Sequence, residues 1–413
     1  MHASPTGPLA KRAHARAAGG SELWYGGRDI AGARMKIAYI FDRPLPARET
    51  DSEQALQTLA AFARRGAEVR LILPAQKQPR SASELARHYG VQGDFELVTA
   101  PTPFERWSTP RKWWHATHAL RLPAVTSADV VYTRNFPTLF VLARGQQPFA
   151  YETYRPWPKQ YPVLRPPFRA ALHSPAFLGA ILHSQLASQA YSALGVASER
   201  LLVAHNGHDP ARFRDPPSRT ELRAQLGLPA ERPIVVYTGH INLTKGLDTV
   251  FRLARSLPHA LFLLVGSEGR GVVETLARQQ PNIRLVPWQP FEMVTRYLLA
   301  ADALLQPPSQ VPLRLIGNTV LPMKIFLYLA AGRPIVAPDL PDLREVLQHE
   351  HNALLVPTGD HAAATQAVAR VLEDAALARR LAAAAQQTAA GLTWDARASR
   401  ILEFLEQRRK SAP

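Results

Sequence analysis

The sequence predicts an α/β protein with two doubly wound parallel sheets, and three observations support this prediction. An apolar run at 37–41 precedes a helical pattern over 51–65, and a second apolar run follows at 68–73. Parallel strands need a crossover helix, so this alternation is typical of the start of a parallel sheet. A second series of the same kind begins after Pro217. The length of 413 residues is enough for two or three domains.

The first series continues with three short apolar runs, each followed by polar residues. These runs are 129–132, 148–151 and 179–182. The segment 101–169 departs from the regular pattern, because it contains many prolines, four of the seven Trp residues and more Arg and Lys than Asp and Glu. It has two interpretations. The segment docks on an anionic bilayer, or it is a Pro-rich lobe whose aromatic residues form core.

The second series predicts six further strands, a set of helices and a helical tail. The strands are 233–237, 260–265, 282–286, 303–305, 334–337 and 353–356. The helices are 246–257, 323–331, the Ala-rich stretch 361–390 and the segment 394–408, with Gly391 between the last two. The order of these elements predicts that the second sheet has the same architecture as the first.

The composition narrows the classes of function. The chain has no Cys, which excludes disulfides, thiolate nucleophiles, Fe–S clusters and Cys-ligated zinc. No apolar run reaches the roughly 18 residues of a membrane-spanning helix, and the N-terminus shows no signal-peptide core, so we expect a cytoplasmic protein. The 49 Lys and Arg residues against 33 Asp and Glu give a formal net charge of +16. This charge favours anionic partners: nucleic acid, phosphorylated metabolites or an anionic membrane surface.

Three loops of the second series are suited to an anionic ligand, because ligands of open parallel sheets lie beyond the carboxyl ends of the strands. The loop 237–246 brings backbone N–H groups, His240 and Lys245 together where a helix begins. The glycine-rich loop 266–271 lets a ligand approach the backbone closely. The loop 321–324 places a second lysine at a helix start. Each signal alone is weak, since such a lysine is most often a solvated surface residue, but together they predict a diphosphate cradle.

A set of short motifs extends from Met35 nearly to the C-terminus. It comprises the segments 64–69, 206–209, 212–213, 238–240, 245–246, 264–266, 322–336, 342–346 and 352–357, with Trp394 at the start of the last helix. In these motifs the chain resembles family 4 glycosyltransferases of the GT-B fold, and 322–336 is the most specific match. The resemblance implies two Rossmann-like domains that face a cleft.

The resemblance also implies a domain organisation. It comprises a flexible N-terminal extension at 1–34, an acceptor domain at 35–205, a nucleotide-sugar domain at 206–393 and a C-terminal helix at 394–413 that crosses back to the first domain.

Individual residues of the second domain take roles from the same resemblance. Lys245 and Lys324 would bind the donor diphosphate and, with His240, act in catalysis. The other implied donor-binding residues are Gly239, Gly246, Gly266, Trp288, Gln289, Thr319, Pro322 and Met323. Fixed cations stabilise the negative charge that develops on a departing nucleoside diphosphate. No Asp-x-Asp motif follows a strand, so we expect no metal and no cofactor, with the lysines in place of the metal.

The chain departs from the family pattern at several positions. Thr319 and Leu327 occupy the places of two Glu residues that the family usually has, of which the second contacts the nucleotide ribose. His240 stands where Arg is usual, and 43–48 replaces a glycine pair after the first strand. These departures favour an alternative function, a non-catalytic GT-B protein that binds a nucleotide sugar or a glycan.

The acceptor is expected in the first domain. Glu152 and Tyr154 end a strand that faces the predicted cleft, where Glu152 would orient an acceptor hydroxyl and Tyr154 would stack on a sugar. In the alternative, Glu152 caps a helix or pairs with Arg155.

The predicted function is transfer of a sugar from a nucleotide-diphosphate sugar to a glycan or lipid-linked acceptor, without a metal and, by the resemblance, with retention of configuration. The net charge of +16 adds the inner face of the plasma membrane as a candidate peripheral location. No nucleic-acid motif accompanies this charge, so we expect no nucleic-acid partner. A dehydrogenase is disfavoured because the first strand lacks the dinucleotide fingerprint.

Overall fold

Two parallel sheets organise the chain, in a computed structural model that describes residues 34–47, 49–103, 108–311 and 321–411. The strands of the first sheet are β1 (Lys36–Ile40), β2 (Glu68–Pro74), β3 (Glu96–Ala100), β4 (Val130–Thr133), β5 (Phe149–Thr153), β6 (Phe177–Leu182) and β7 (Leu201–Val203). Their order is β3-β2-β1-β4-β5-β6-β7, and all pairs are parallel. The sequence between β3 and β4 reverses the winding direction, as in a doubly wound sheet.

The second sheet repeats this plan with six strands. They are β8 (Ile234–Thr238), β9 (Leu261–Ser267), β10 (Ile283–Pro287), β11 (Ala303–Leu305), β12 (Ile335–Pro338) and β13 (Leu354–Val356). Their order is β10-β9-β8-β11-β12-β13, again with parallel pairing throughout. The predicted α/β fold with two doubly wound sheets is confirmed.

Helices connect and cover the strands. In the first half they are α1 (Thr50–Arg64), α2 (Ala82–Tyr89), α3 (Thr109–Ala119), α4 (Pro123–Thr126), α5 (Phe136–Leu142), α6 (Trp157–Gln160), α7 (Arg165–Leu172) and α8 (Gln185–Ser192). In the second half they are α9 (Arg219–Gln225), α10 (Asp248–Ser256), α11 (Val272–Arg278), α12 (Phe291–Ala300), α13 (Lys324–Ala331), α14 (His361–Glu373), α15 (Ala375–Ala390) and α16 (Trp394–Lys410). None of the helices in these described ranges is long and apolar enough to cross a membrane.

The sequence prediction was wrong in two details. It missed β3 and β7, which form the two edges of the first sheet. It also predicted one helix over 361–390, where the structure has α14 and α15 separated by Asp374. The Asp374 carboxylate accepts hydrogen bonds from the backbone N–H groups of Ala376 and Leu377, at 3.0 and 2.9 Å, so it starts a new helix instead of continuing the old one.

The chain passes between the two sheets twice, and the two passages lie side by side. The His208 backbone N–H donates to the Leu392 carbonyl at 3.0 Å, and Trp394 returns a bond to the His208 carbonyl at 3.2 Å. A Cβ atom on Gly207 would lie 2.5 Å from the Thr393 carbonyl carbon, so only glycine allows this approach. The predicted division into four segments remains a prediction, and residues 1–33 of the predicted extension lie outside the described residues.

The last helix packs on the first sheet. The ring of Phe404 in α16 covers Gly179 of β6 so closely that a Cβ atom there would lie 2.4 Å from it. Trp394, Ile401 and Leu405 join the buried core of the first domain. The helix is therefore an integral part of the first domain's packing.

A buried histidine makes the first domain sensitive to acid. His115 of α3 has no exposed surface, and this burial lowers its pKa to about 4. An unfolded chain binds a proton at this position as the pH falls through about 6.5, whereas the folded chain does so only near 4. Stability conferred by the neutral ring is therefore present above pH 6.5 and lost as the pH falls towards 4.

The wild type is expected to lose unfolding free energy between pH 7.5 and pH 5, and we expect His115→Gln to lose about 2 kcal/mol less over the same range. Urea unfolding of the wild type and the variant at the two pH values measures this difference. His351→Gln, at an exposed position, is the matched control and is expected to keep the wild-type slope. An identical slope in His115→Gln would contradict the assignment.

Candidate active site

Two lysines converge at the carboxyl end of the second sheet. Lys245 ends a short 3₁₀ turn, Leu243–Lys245, which precedes α10, and Lys324 is the first residue of α13. The Lys324 ammonium lies 3.8 Å from the centre of the Tyr237 ring, and a Cβ atom on Gly239 would lie only 3.0 Å from it. The structure therefore brings together Lys324, Gly239 and the end of β8, as the sequence predicted for the diphosphate cradle.

Neither ammonium group is neutralised within the described part of the chain, where no ion pair or hydrogen bond to it is present. Burial and the neighbouring Lys245 lower the pKa of Lys324 well below its usual value. Partial desolvation and the Arg155 guanidinium lower the pKa of Lys245. A cation held in such a place without an acid is destabilised, so an anion that enters is bound strongly.

The backbone beside these lysines is held open by two glycines. Gly239 and Gly266 both have positive φ, of 128° and 122°. A Cβ atom on Gly266 would lie 2.4 Å from the Gly239 carbonyl oxygen, so the loops after β8 and β9 touch through their backbones. Gly239 N–H also donates to the Val265 carbonyl at 2.9 Å. Because neither glycine has a side chain, a ligand can approach the backbone of both loops closely.

Two buried tyrosines fix the loop after β8. The Tyr328 hydroxyl of α13 accepts a bond from the Thr238 backbone N–H at 3.0 Å, and the Tyr237 hydroxyl donates to the His240 carbonyl at 3.0 Å. The His240 ring is half-buried beside this loop. Gly246 is buried with a φ of 74° and ends the 3₁₀ turn that carries Lys245. The sequence analysis included both tyrosines in its motifs but gave neither a role, although Tyr237 stands visibly at the end of an apolar strand.

A cavity of about 700 Å³ lies beside β10, next to the loops that follow β9 and β10. Its lining residues are Ser267, Glu268, Gly269, Arg278, Ile283, Arg284, Leu285, Pro287 and Trp288. The Trp288 backbone N–H donates to the Ser267 carbonyl at 2.9 Å and joins the two loops. Gln289 is half-buried and donates to the Pro287 carbonyl at 3.1 Å. The cavity has the volume of a small-molecule site. It adjoins the loops that the sequence predicted to hold the nucleotide base.

The structure says less about the role of the remaining predicted donor-binding residues. Pro322 and Met323 precede α13, and Met323 packs against the core of the first domain. Thr319 lies outside the described residues. Leu327 is half-buried against the core of the second domain, so its side chain is apolar packing where the family usually has a carboxylate.

Glu152 lies at the centre of a buried network in the first domain. Its Oε1 atom accepts hydrogen bonds from Gln54 Nε2 and His183 Nε2, both at 2.6 Å, and from Arg397 of α16. Burial would raise the pKa of Glu152, but Arg397, His183 and Arg134 together outweigh burial and hold the pKa well below its usual range. Glu152 is fully buried, so the prediction that it orients an acceptor hydroxyl needs correction: its carboxylate binds the domain's own side chains.

Arg397 was missed by the sequence analysis. It lies 245 residues from Glu152 in the chain, and no local pattern connects the two. Its other nitrogens donate to Thr58 at 3.1 Å and to the Ala204 carbonyl at 3.4 Å. Only the return of α16 to the first sheet creates this partner.

Tyr154 remains accessible at the end of β5. It is half-exposed, and its ring contacts the guanidinium groups of Arg155 and Arg134, at 5.3 and 5.9 Å. The Arg155 Nε atom donates to the Tyr154 hydroxyl at 3.1 Å. The structure is compatible with the predicted stacking of Tyr154 on a sugar, which stays a prediction.

The carboxyl ends of the two sheets contact each other through Glu345. Glu345, which follows β12, accepts hydrogen bonds from the backbone N–H groups of Gln185 and Leu186 at the start of α8, at 2.8 and 3.3 Å. His205 also contacts this carboxylate at 2.8 Å. The loops after β6 and β12 therefore touch, and the lysines and Tyr154 belong to one cleft. Among the residues with described positions, no group of three or more His, Asp or Glu side chains is arranged to hold a metal ion.

The second half of the chain matches a known protein family. Residues 218–388 match the family model described as glycosyl transferases group 1. A D-inositol 3-phosphate glycosyltransferase of Xylanimonas cellulosilytica is 29% identical over 233 residues, which is 53% of this chain and 54% of that protein. The lipopolysaccharide core biosynthesis glycosyltransferase LpsD of Rhizobium meliloti is 30% identical over 176 residues, 42% and 48% of the two chains. The chain thus spans about half the length of the curated relatives it matches.

Solved structures resemble the whole fold. The Anabaena protein HepE, crystallised with UDP, aligns over 90% of this chain and 100% of its own with a TM-score of 0.70 and 19% identity. The sucrose-phosphate synthase of Thermosynechococcus elongatus aligns over 92% and 100%, with a TM-score of 0.73 and 20% identity. At these identities the likeness establishes the fold alone, that of two Rossmann-like domains.

Proposed function

We propose that the chain transfers a sugar from a nucleotide-diphosphate sugar to a glycan or lipid-linked acceptor. The GT-B fold and the match of residues 218–388 to the glycosyl transferases group 1 support this proposal. The observation that carries this proposal is the pair of unneutralised cations, Lys245 and Lys324, beside the open backbone of Gly239. Breaking the bond between sugar and phosphate leaves a nucleoside diphosphate, and fixed cations stabilise that charge without reorganising.

Each site residue has a proposed role in this reaction. Lys245 and Lys324 bind the diphosphate, His240 lies beside the sugar, and the cavity at Trp288 accepts the base. The acceptor enters from the first domain at Tyr154. The proposed reaction uses no metal and no cofactor and retains the configuration of the sugar. The relatives support a nucleotide-sugar donor, since HepE was crystallised with UDP and with UDP-glucose.

The test is turnover by the full chain with a panel of uridine, guanosine and adenosine diphosphate sugars, with and without EDTA. Release of the nucleoside diphosphate from one donor, unaffected by EDTA, is the expected result. A requirement for added divalent ion would contradict the metal-free mechanism. An inverted product, read by NMR, would contradict retention.

A second candidate function is binding of a nucleotide sugar or glycan without catalysis. Leu327 favours it, because the apolar side chain cannot contact a ribose hydroxyl as a carboxylate would. This candidate predicts thermal stabilisation by a nucleotide sugar and no turnover with any acceptor. Turnover in the test above would exclude it.

An anionic membrane surface is the proposed location of the acceptor, and exposed side chains of the first domain support this. The large side chains exposed there are Trp113, Trp114, Tyr161 and Val163. On the same domain, Arg165 and Arg169 of α7 are exposed cations, and together with His173 they line a cavity of about 510 Å³. Aromatic and cationic side chains together suit a lipid interface.

Other aromatic residues of the 101–169 segment, such as Phe168 and Trp157, pack in the core, as the core interpretation predicts. The interpretation that the segment docks on a bilayer stays a proposal. Trp107 lies outside the described residues. Co-sedimentation with phosphatidylcholine vesicles, with and without phosphatidylglycerol, tests the location. Recovery of all the protein in the supernatant at low salt would contradict it. No nucleic-acid partner is proposed.

A further inference from the structure

Arg155 occupies a fixed position at the mouth of the cleft. It follows β5, and its guanidinium carbon lies 5.3 Å from the Tyr154 ring centre and 5.0 Å from the Trp157 ring centre. Trp157 in turn packs edge-on against Phe136 of the first domain's core, at 4.9 Å. The guanidinium is therefore held by aromatic rings that the core positions, with favourable cation–π contacts on both.

No carboxylate pairs with Arg155 in the residues whose placement is described. Other arginines that pack on the first domain do have acidic partners: Arg397 of α16 pairs with Glu152, and Arg43 pairs with Asp51. The Nε atom of Arg155 donates to the Tyr154 hydroxyl, and its two terminal nitrogens keep their donors for a ligand. The planar guanidinium suits phosphate oxygens.

The charge of Arg155 acts on a lysine of the second domain. Its charge is one of the two causes that lower the pKa of Lys245 on the second domain, and Lys245 acts in the same way on Lys324. The carboxyl ends of the two sheets meet here, where Glu345 binds the start of α8. Like charges on opposite walls repel each other, and an anion between them converts that repulsion into attraction.

We propose that Arg155 binds the donor diphosphate from the first domain and completes an anion clamp with Lys245 and Lys324. This inference rests on the proposed function and adds a residue of the opposite domain to the donor site. The diphosphate is thereby held from both walls of the cleft, so its binding draws the acceptor domain towards the sugar. Arg155 also stabilises the charge that the nucleoside diphosphate acquires when it leaves.

Isothermal titration of the full chain with UDP, GDP, ADP, the matching monophosphates and inorganic pyrophosphate tests the clamp. We expect Arg155→Met to weaken binding of pyrophosphate, and of the diphosphate that the wild type prefers, by 10- to 100-fold. The matching monophosphate is expected to lose much less. Arg155→Lys is expected to restore part of the affinity, and Arg144→Met, at an exposed position on the same domain, to leave it unchanged.

The possible outcomes separate this inference from the function on which it rests. Wild-type affinity for the diphosphates in Arg155→Met would overturn the inference and leave the donor site of the second domain intact. An equal loss for monophosphate and diphosphate would also overturn it, because Arg155 would then shape the fold and not contact the second phosphate. A wild-type chain that binds none of the probes would contradict both the inference and the proposed function.

Discussion

Lys324→Met is expected to lose nucleoside diphosphate affinity by about 2 kcal/mol, the size of a lost charge-assisted contact. Turnover is expected to fall roughly 100-fold, because the same cation faces the charge that develops in the transition state. The reason lies in the position of the Lys324 ammonium, 3.8 Å from the Tyr237 ring centre, where the described residues offer it no acid. Calorimetry with the preferred diphosphate and steady-state kinetics measure the two effects.

The same substitution is expected to leave the fold as stable as before, or to stabilise it by about 1 kcal/mol. Burial and Lys245 lower the pKa of Lys324, which means that the charged form is destabilised when the cleft is empty. Methionine fills a similar volume and needs no counterion. Lower affinity combined with unchanged or higher unfolding free energy is the mark of a residue kept for binding.

Lys410→Met is the matched control, since Lys410 lies exposed in the last turn of α16 and pairs with Glu406. It is expected to change neither affinity nor turnover. Full diphosphate affinity in Lys324→Met would remove the cradle from the proposed mechanism. A loss of stability in that variant would instead assign Lys324 a structural role.

The central strands of both sheets could be predicted from the sequence because parallel strands covered on both faces must be apolar throughout. All five residues of β8 and all six of β6 are buried, which gives continuous apolar runs. The edge strands β3 and β7 are only partly buried and carry no such run, so the sequence did not reveal them.

The proximity of the residues in the proposed donor site could be predicted because their signals are local. A glycine and a lysine that follow a strand stay close in space whatever the rest of the chain does, and Gly239 and Lys245 are of this kind. The role of Glu152 was mispredicted because its partners are distant in sequence: Gln54, His183 and Arg397 come from three separate helices or loops. A single sequence without the tertiary fold cannot indicate that Oε1 of this carboxylate already accepts three hydrogen bonds from the protein's own side chains.

Arg397→Met is expected to destabilise the protein by about 3 to 5 kcal/mol, because it leaves the Glu152 carboxylate buried without its cation. Both side chains are almost completely inaccessible, with 3% and 0% of their surface exposed. The substitution also removes the bonds that Arg397 donates to Thr58 and to the Ala204 carbonyl. Urea unfolding of the variant measures the loss, and Arg379→Met, at an exposed position of α15, is expected to stay within about 0.5 kcal/mol of the wild type.

The pH dependence of Arg397→Met separates loss of the ion pair from loss of packing. In the wild type, the lowered pKa of Glu152 confers stability that is present above the unfolded pKa of about 4.5 and lost as the pH falls below it. Without Arg397, burial dominates and raises the pKa of Glu152. Protonation then removes the buried charge, so the variant's loss of unfolding free energy relative to the wild type is smaller at pH 5 than at pH 7.5. Adding Glu152→Gln to Arg397→Met removes the stranded charge and is expected to recover part of the stability at pH 7.5 and to abolish this pH effect. A deficit that is the same at both pH values and in the double variant would mean that α16 is held to the first domain by the apolar contacts of Trp394, Ile401 and Leu405 rather than by the ion pair.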